Sequence, residues 1–201
     1  MLKTRKLRNL AQANRANLLY QRGDEAWRKG QLRSAFKDFL AAARAGMAPA
    51  FRIVGQFYHR GDGVKADLDA ALYWYRLASR NGEDSAANNI GCIWRDRGKL
   101  GRALRWFERA TRLGDADANI NIAKIYLRKG DLARAHPYLT KACRSPWTTE
   151  QTKHEAKLLL GELKANRTGR VAQPRAARAL IGRGTRSRLH IRVAALDAAR
   201  R

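Results

Sequence analysis

The sequence predicts an all-α protein. The expected architecture is a right-handed α-solenoid of about four helix-turn-helix repeats, with a C-terminal capping helix and a flexible basic tail. Three observations carry this. Four stretches align without gaps: "LRSAFKDFLAAARAG" from Leu32, "LDAALYWYRLASRNG" from Leu68, "LGRALRWFERATRLG" from Leu100 and "LARAHPYLTKACRSP" from Leu132. Their leucines lie 36, 32 and 32 residues apart. A period of this size marks stacked units, each too small to bury its own apolar face. Positions 1, 4, 5, 8, 11 and 12 carry apolar residues, with Ser79, Thr111 and His136 as the departures, which is a helical stripe. Finally, Gly46, Gly82 and Gly114 end three of the four, where a helix terminus favours a left-handed residue.

Taken in chain order, residues 1–16 read as a basic N-terminal helix or arm. They lack the continuous apolar run of a secretory signal, and their Arg-rich, acid-free composition is also that of a mitochondrial presequence. Residues 17–147 hold the repeats. The first helix of each unit falls in Asn17–Gly30, Phe51–Gly61, Ala87–Gly98 and Asn119–Gly130. Gly91 and Ala123 share a small column, Trp94 and Tyr126 an aromatic one. The first unit is the loosest copy: Gly23 holds the small column, but Ala26 takes the aromatic place, with Trp27 one position on.

In the second helices, Ala35, Ala71, Ala103 and Ala135 form one small column, and Ala42, Ala78, Ala110 and Ala142 another. Between them Phe39, Tyr75, Phe107 and Leu139 form a bulky column. Small residues at fixed columns predict close helix–helix approach. The leucine column is expected on the buried stripe. Tyr73 and Trp106 are the ring positions most open to exposure. Pro137 predicts a kink or a ragged first turn in the last repeat helix rather than a break. Residues 148–166 read as the capping helix, with Ala156, Leu159, Leu160 and Leu163 on its stripe. Residues 167–201 hold ten Arg, no Lys and one Asp, and predict an Arg-rich flexible tail.

The repeated pattern of a small residue, an aromatic, a glycine, then Ala, aromatic and Ala resembles the tetratricopeptide family. The longer unit resembles the related Sel1-like repeat. Gly55, Tyr58, Gly61, Gly63, Val64, Asp67, Ala71, Trp74, Tyr75, Ala78 and Gly82 fall on that pattern, and "DGVKA" supplies its longer turn.

Little in the chain suggests chemistry. His59, His136, His154 and His190 include no pair at metal-ligand spacing, and Cys92 and Cys143 form no CxxC. No nucleophile elbow, phosphate loop or dinucleotide fingerprint occurs. The cysteines are expected as small buried residues. Asp62, Asp67 and Asp69 at the glycine turn are explained by helix capping and solvation. The expectation is a non-enzymatic protein with no cofactor and no metal, cytoplasmic, and without a transmembrane segment.

Lys and Arg number 42 against 17 Asp and Glu, a formal net charge of +25. Such a field favours an anionic partner, although Arg is also common in GC-rich genomes. The resemblance implies a protein-protein interaction module, an adaptor or scaffold. It would hold a partner peptide or domain, with an acidic segment, in the concave groove lined by the first helices. Polar residues off their stripes are the candidates: Arg52, Gln56, His59, Asn88, Asn89, Arg95, Asn121, Lys124 and Arg128. The resemblance implies that Asn89 and Asn121 hold a ligand's main chain, since a carboxamide both donates and accepts. Lys124 and Arg128, one turn apart, would take a carboxylate. The other reading is a nucleic-acid or anionic-membrane binder acting through the Arg-rich tail. The tail is equally read as an extension without a role of its own.

Overall fold

The structure, a computed structural model, describes residues 2–167, with side chains from 10 to 165. The predicted flexible tail, 167–201, lies outside the described residues apart from the backbone of Arg167. The described residues form helices and turns only: α1 (Leu2–Arg28), α2 (Leu32–Arg44), α3 (Ala48–Arg60), α4 (Leu68–Arg80), α5 (Asp84–Asp96), α6 (Leu100–Leu113), α7 (Ala118–Arg128), α8 (Leu132–Arg144) and α9 (Glu150–Arg167). Every substantial interhelical contact joins helices consecutive in the chain, α1 on α2 through to α8 on α9. This is the all-α solenoid of helix hairpins.

The columns account for the packing. All eight alanines of the two small columns are fully buried, as are Phe39, Tyr75, Phe107 and Leu139 between them. The bulky column lies against the small column of the preceding helix. A Cβ placed on Gly23 would stand 3.0 Å from the Phe39 ring, one on Gly55 2.6 Å from Tyr75, and one on Gly91 2.5 Å from Phe107. In the last pair the ring is replaced by Leu139, and the small residue opposite is Ala123, in the same buried cluster. Ring-on-glycine and leucine-on-alanine are two ways to fill the same volume.

Two expectations differ. The leucine column is only partly on the core: Leu32 and Leu100 pack half-buried against it, whereas Leu68 is 36% exposed and Leu132 45%. Both are the first residues of their helices, α4 and α8. Trp27 is exposed while Ala26 is buried, so the first unit has no ring in the aromatic column. Tyr73 is exposed, its ring 5.2 Å edge-on from Trp74, whereas Trp106 is half-buried between two core clusters. Helix α8 runs through Pro137 without interruption.

Glycines at positive φ end most of the helices. The longer turn of the second unit follows Gly61, which is the left-handed C-cap of α3. Gly63 in that turn has φ +66° and lies against the preceding unit, where a Cβ would stand 2.5 Å from the Leu32 carbonyl carbon and 2.7 Å from Arg33 N. The turn thus packs backbone to backbone on the start of α2. It closes on Asp67, whose carboxylate accepts hydrogen bonds from Asp69 N and Ala70 N, both 3.0 Å, and so caps α4.

Helix α9 packs on α8 through Ala156 and Leu159, which are buried, and Leu160 and Leu163, which are half-buried. It is anchored at its start by Thr149, whose backbone N–H donates to the Asp117 carboxylate at 3.0 Å. Thr149 Oγ1 accepts from Thr152 N at 3.3 Å, capping the first turn. Its remaining exposed residues are polar apart from Leu158, as befits a helix at the end of a stack.

Candidate functional site

The nine candidate residues lie on α3, α5 and α7, the first helices of three successive units. Arg128 is exposed, and the other eight are half-buried beside the core stripes. This follows from helical spacing: with apolar residues held inward at every third or fourth position, the flanking positions stand at the edge of the helix–helix seam.

The structure links several of these residues across the seams. Arg95 Nη1 on α5 donates to Asn121 Oδ1 on α7 at 3.1 Å. Asn121 Nδ2 donates back to Asn88 Oδ1 on α5 at 3.0 Å. Arg95 Nε donates to the neighbouring Asp96 carboxylate at 2.9 Å. The Asn121 carboxamide is therefore engaged at both ends, and its orientation is fixed by a guanidinium on one side and an amide on the other.

Two of the basic candidates, Arg52 and Lys124, have distant acidic partners that the sequence did not reveal. Arg52 Nε meets the Glu83 carboxylate, just before α5, at 3.2 Å. Lys124 Nζ lies 2.7 Å from Glu155 Oε1 on α9. Each pair reaches from one first helix to the next, about one repeat away, and no local pattern marks such partners. Lys124 and Arg128 thus do not form a vacant two-cation clamp: a carboxylate of the chain itself already occupies Lys124. Gln56, Asn89 and Arg128 have no side-chain hydrogen bond or ion pair among the described residues.

His59 sits near the Tyr75 hydroxyl, at 3.4 Å, with the rings edge to face. Burial pushes the His59 imidazole below the usual histidine range, against the opposing pull of Asp96. Burial likewise raises the Tyr75 phenol and the Cys92 thiol. Cys92 therefore stays a protonated thiol at neutral pH, the unreactive form. The two cysteines are not paired with each other and are half-buried rather than fully enclosed.

Among the described residues no cluster of three or more His, Cys, Asp or Glu side chains is placed to hold a metal ion. No helix among them is long and apolar enough to cross a membrane. The arrangement offers hydrogen-bond donors, acceptors and cations on rigid helices, which is a means of binding.

Comparison with protein families matches residues 50–83 to the Sel1 repeat and residues 85–113 and 116–145 to tetratricopeptide repeats. No curated protein matches the chain. Among solved structures, the chain is similar to a Sel1 repeat protein from Oxalobacter formigenes, with 26% identity and a TM-score of 0.60. That alignment covers 77% of this chain and 65% of the other. A protective antigen present in uropathogenic Escherichia coli strains, displaying an SLR fold, aligns with 24% identity and a TM-score of 0.64 over 81% of this chain and 36% of its own, a likeness of fold. The chain thus spans only part of the length of either protein. The three family matches cover the same helix pairs that the buried columns define, α3–α4, α5–α6 and α7–α8, and the chain is a Sel1- and tetratricopeptide-like repeat protein.

Proposed function

We propose that the side of the stack formed by α3, α5 and α7 binds a segment of a partner protein, and that the chain acts as an adaptor or scaffold. Sel1 and tetratricopeptide repeats generally mediate protein–protein interaction, which supports the reading. The observation that carries it is the link from Arg95 through Asn121 to Asn88. It holds polar side chains in one geometry across two units, beside the unengaged Asn89, Gln56 and Arg128. Side chains locked by their neighbours lose little entropy when they meet a ligand, so such a surface discriminates well.

An acidic segment fits this surface. A ligand carboxylate at Lys124 or Arg52 would replace Glu155 or Glu83, exchanging one ion pair for another of the same kind. Arg128, exposed and unpaired, would gain a partner outright. Asn89, whose carboxamide is unengaged, is the residue assigned to the ligand's main chain.

The test is affinity capture with three proteins: the full chain, a truncation after Asn166, and the full chain carrying Asn89→Ala and Arg128→Ala. Each is compared at low and moderate salt. A partner retained at moderate salt by the truncation and lost by the double variant supports groove recognition. Loss on truncation, with retention by the double variant, would place the activity in the Arg-rich segment and favour a polyanion, whose binding weakens steeply with salt.

A further inference from the structure

The first helix pair differs from the others at one column. Trp74, Trp106 and Tyr138 stand at equivalent positions of α4, α6 and α8; the same position of α2 is Asp38. In the second unit this ring covers the preceding helix: Trp74 packs on Phe51 with centroids 5.9 Å apart. The first-unit counterpart of Phe51 is Leu19, and the position facing it in the column holds no ring. Asp38 pairs instead with Arg22, one turn beyond Leu19 on α1, at 3.4 Å.

Beside this pair, and sharing Leu19 with it, an open crevice of about 570 Å³ lies between α1 and α2; Asp38 and Arg22 border it without lining it. Leu19, Leu40 and Ala41 give it an apolar floor, and Arg15, Lys37 and Arg44 a cationic rim. None of the three cations has an ion pair or side-chain hydrogen bond among the described residues. No acidic residue lines the crevice. Moreover, Gln12 Nε2 donates to Ala45 O at 3.4 Å, which places the end of α2 beside the middle of α1. The N-terminal part of α1 therefore runs past α2, and it carries Lys3, Arg5, Lys6 and Arg8 with no acid.

We infer that this crevice is a second docking site, distinct from the α3–α5–α7 face, for an acidic segment of a partner protein with an aromatic anchor. The partner's ring rests on Leu19, the counterpart of the Phe51 that Trp74 covers in the second unit. Its flanking carboxylates meet Arg15, Lys37 and Arg44. The stack already uses such chemistry: Arg109 lies over the Trp106 ring at 5.9 Å and Lys141 over Tyr138 at 5.6 Å. A buried aromatic within a charged rim is the usual make-up of an interface anchor.

The test uses the full chain and two fluorescent peptides rich in Asp and Glu, one with a single central Trp and one with Ala in its place. The Trp peptide is expected to bind about tenfold more tightly, the scale of a single aromatic anchor. Asp38→Trp, which supplies the ring from within, should abolish that preference while leaving helicity and melting temperature near the wild-type values. Ala41→Tyr, at the partly exposed edge of the floor, should do the same by a different route. Lys37→Glu with Arg44→Glu should weaken both peptides by about tenfold or more through charge reversal. Equal affinity for the two peptides would overturn the proposal. So would a Trp preference that survives both filling variants, or a single-stranded oligonucleotide that outcompetes the Trp peptide and is itself blocked by Asp38→Trp.

Discussion

Phe107 lies so close to Gly91 that a Cβ on the glycine would stand 2.5 Å from a ring carbon. The absent side chain of one helix is the space occupied by a ring of the next. Gly91→Ala should therefore destabilise the protein by about 1–3 kcal/mol through overpacking. Adding Phe107→Leu recreates the Ala123–Leu139 arrangement of the last pair. Urea denaturation of the two single variants and the double should give a coupling of roughly 0.5–3 kcal/mol in favour of the double. Strict additivity would contradict the packing.

Ala71 and Ala103 occupy the fully buried small column, whereas Lys99 lies exposed just before α6. Ala71→Leu and Ala103→Leu should each cost about 1–3 kcal/mol, and Lys99→Leu close to nothing. Thermal melts of the three variants check the register. Equal melting temperatures would mean that the helices are rotated from the positions described.

The two glycines Gly63 and Gly101 should behave in opposite ways. At Gly63 a Cβ meets the backbone of Leu32 and Arg33, which cannot step aside, and φ is positive. Gly63→Ala should lower stability sharply. Gly101 lies inside α6 with no neighbouring heavy atom within 4 Å of a built Cβ. Gly101→Ala should raise stability by about 0.5–1 kcal/mol, because alanine loses less backbone entropy in a helix. Chemical denaturation of both variants reads the contrast.

His59 carries a pH signature. Burial depresses its imidazole in the folded state, so the unfolded chain binds the proton more readily. Its contribution to stability is present above the ordinary histidine pKa of about 6.5. That contribution is lost as pH falls through the folded-state value below it. His59→Gln should therefore narrow the difference in melting temperature between neutral and mildly acidic solution. An unchanged difference would show that the imidazole is not desolvated.

The repeat was legible in the sequence because its packing is periodic. Ala35, Ala71, Ala103 and Ala135 recur in register, and each is buried for the same reason. The exposure of Leu68 and Leu132 was not legible, since an apolar residue in the first turn of a helix satisfies the helical stripe even where it stands partly exposed. The linked side chains of the candidate site were hidden for another reason. Asn88, Arg95 and Asn121 belong to adjacent units, and their hydrogen bonds run sideways across a seam rather than along a helix. Glu155 was hidden further still: it comes from α9, beyond the last matched repeat. Lys124 read as a free cation only because its partner obeys no column.

Among the described helices, the most extensive contacts lie between one helix and the next, and none of these joins the first unit to the last. Tension applied to the two ends of such a stack would load the joints in series. Each seam would then share the extension, and hairpins would peel away one at a time, each at its own force. Ion pairs that bridge neighbouring units, such as Lys124 with Glu155, would part and re-form as the curvature changes. Under such a load the described helices would act as springs in series, three of whose joints seat a glycine against a ring.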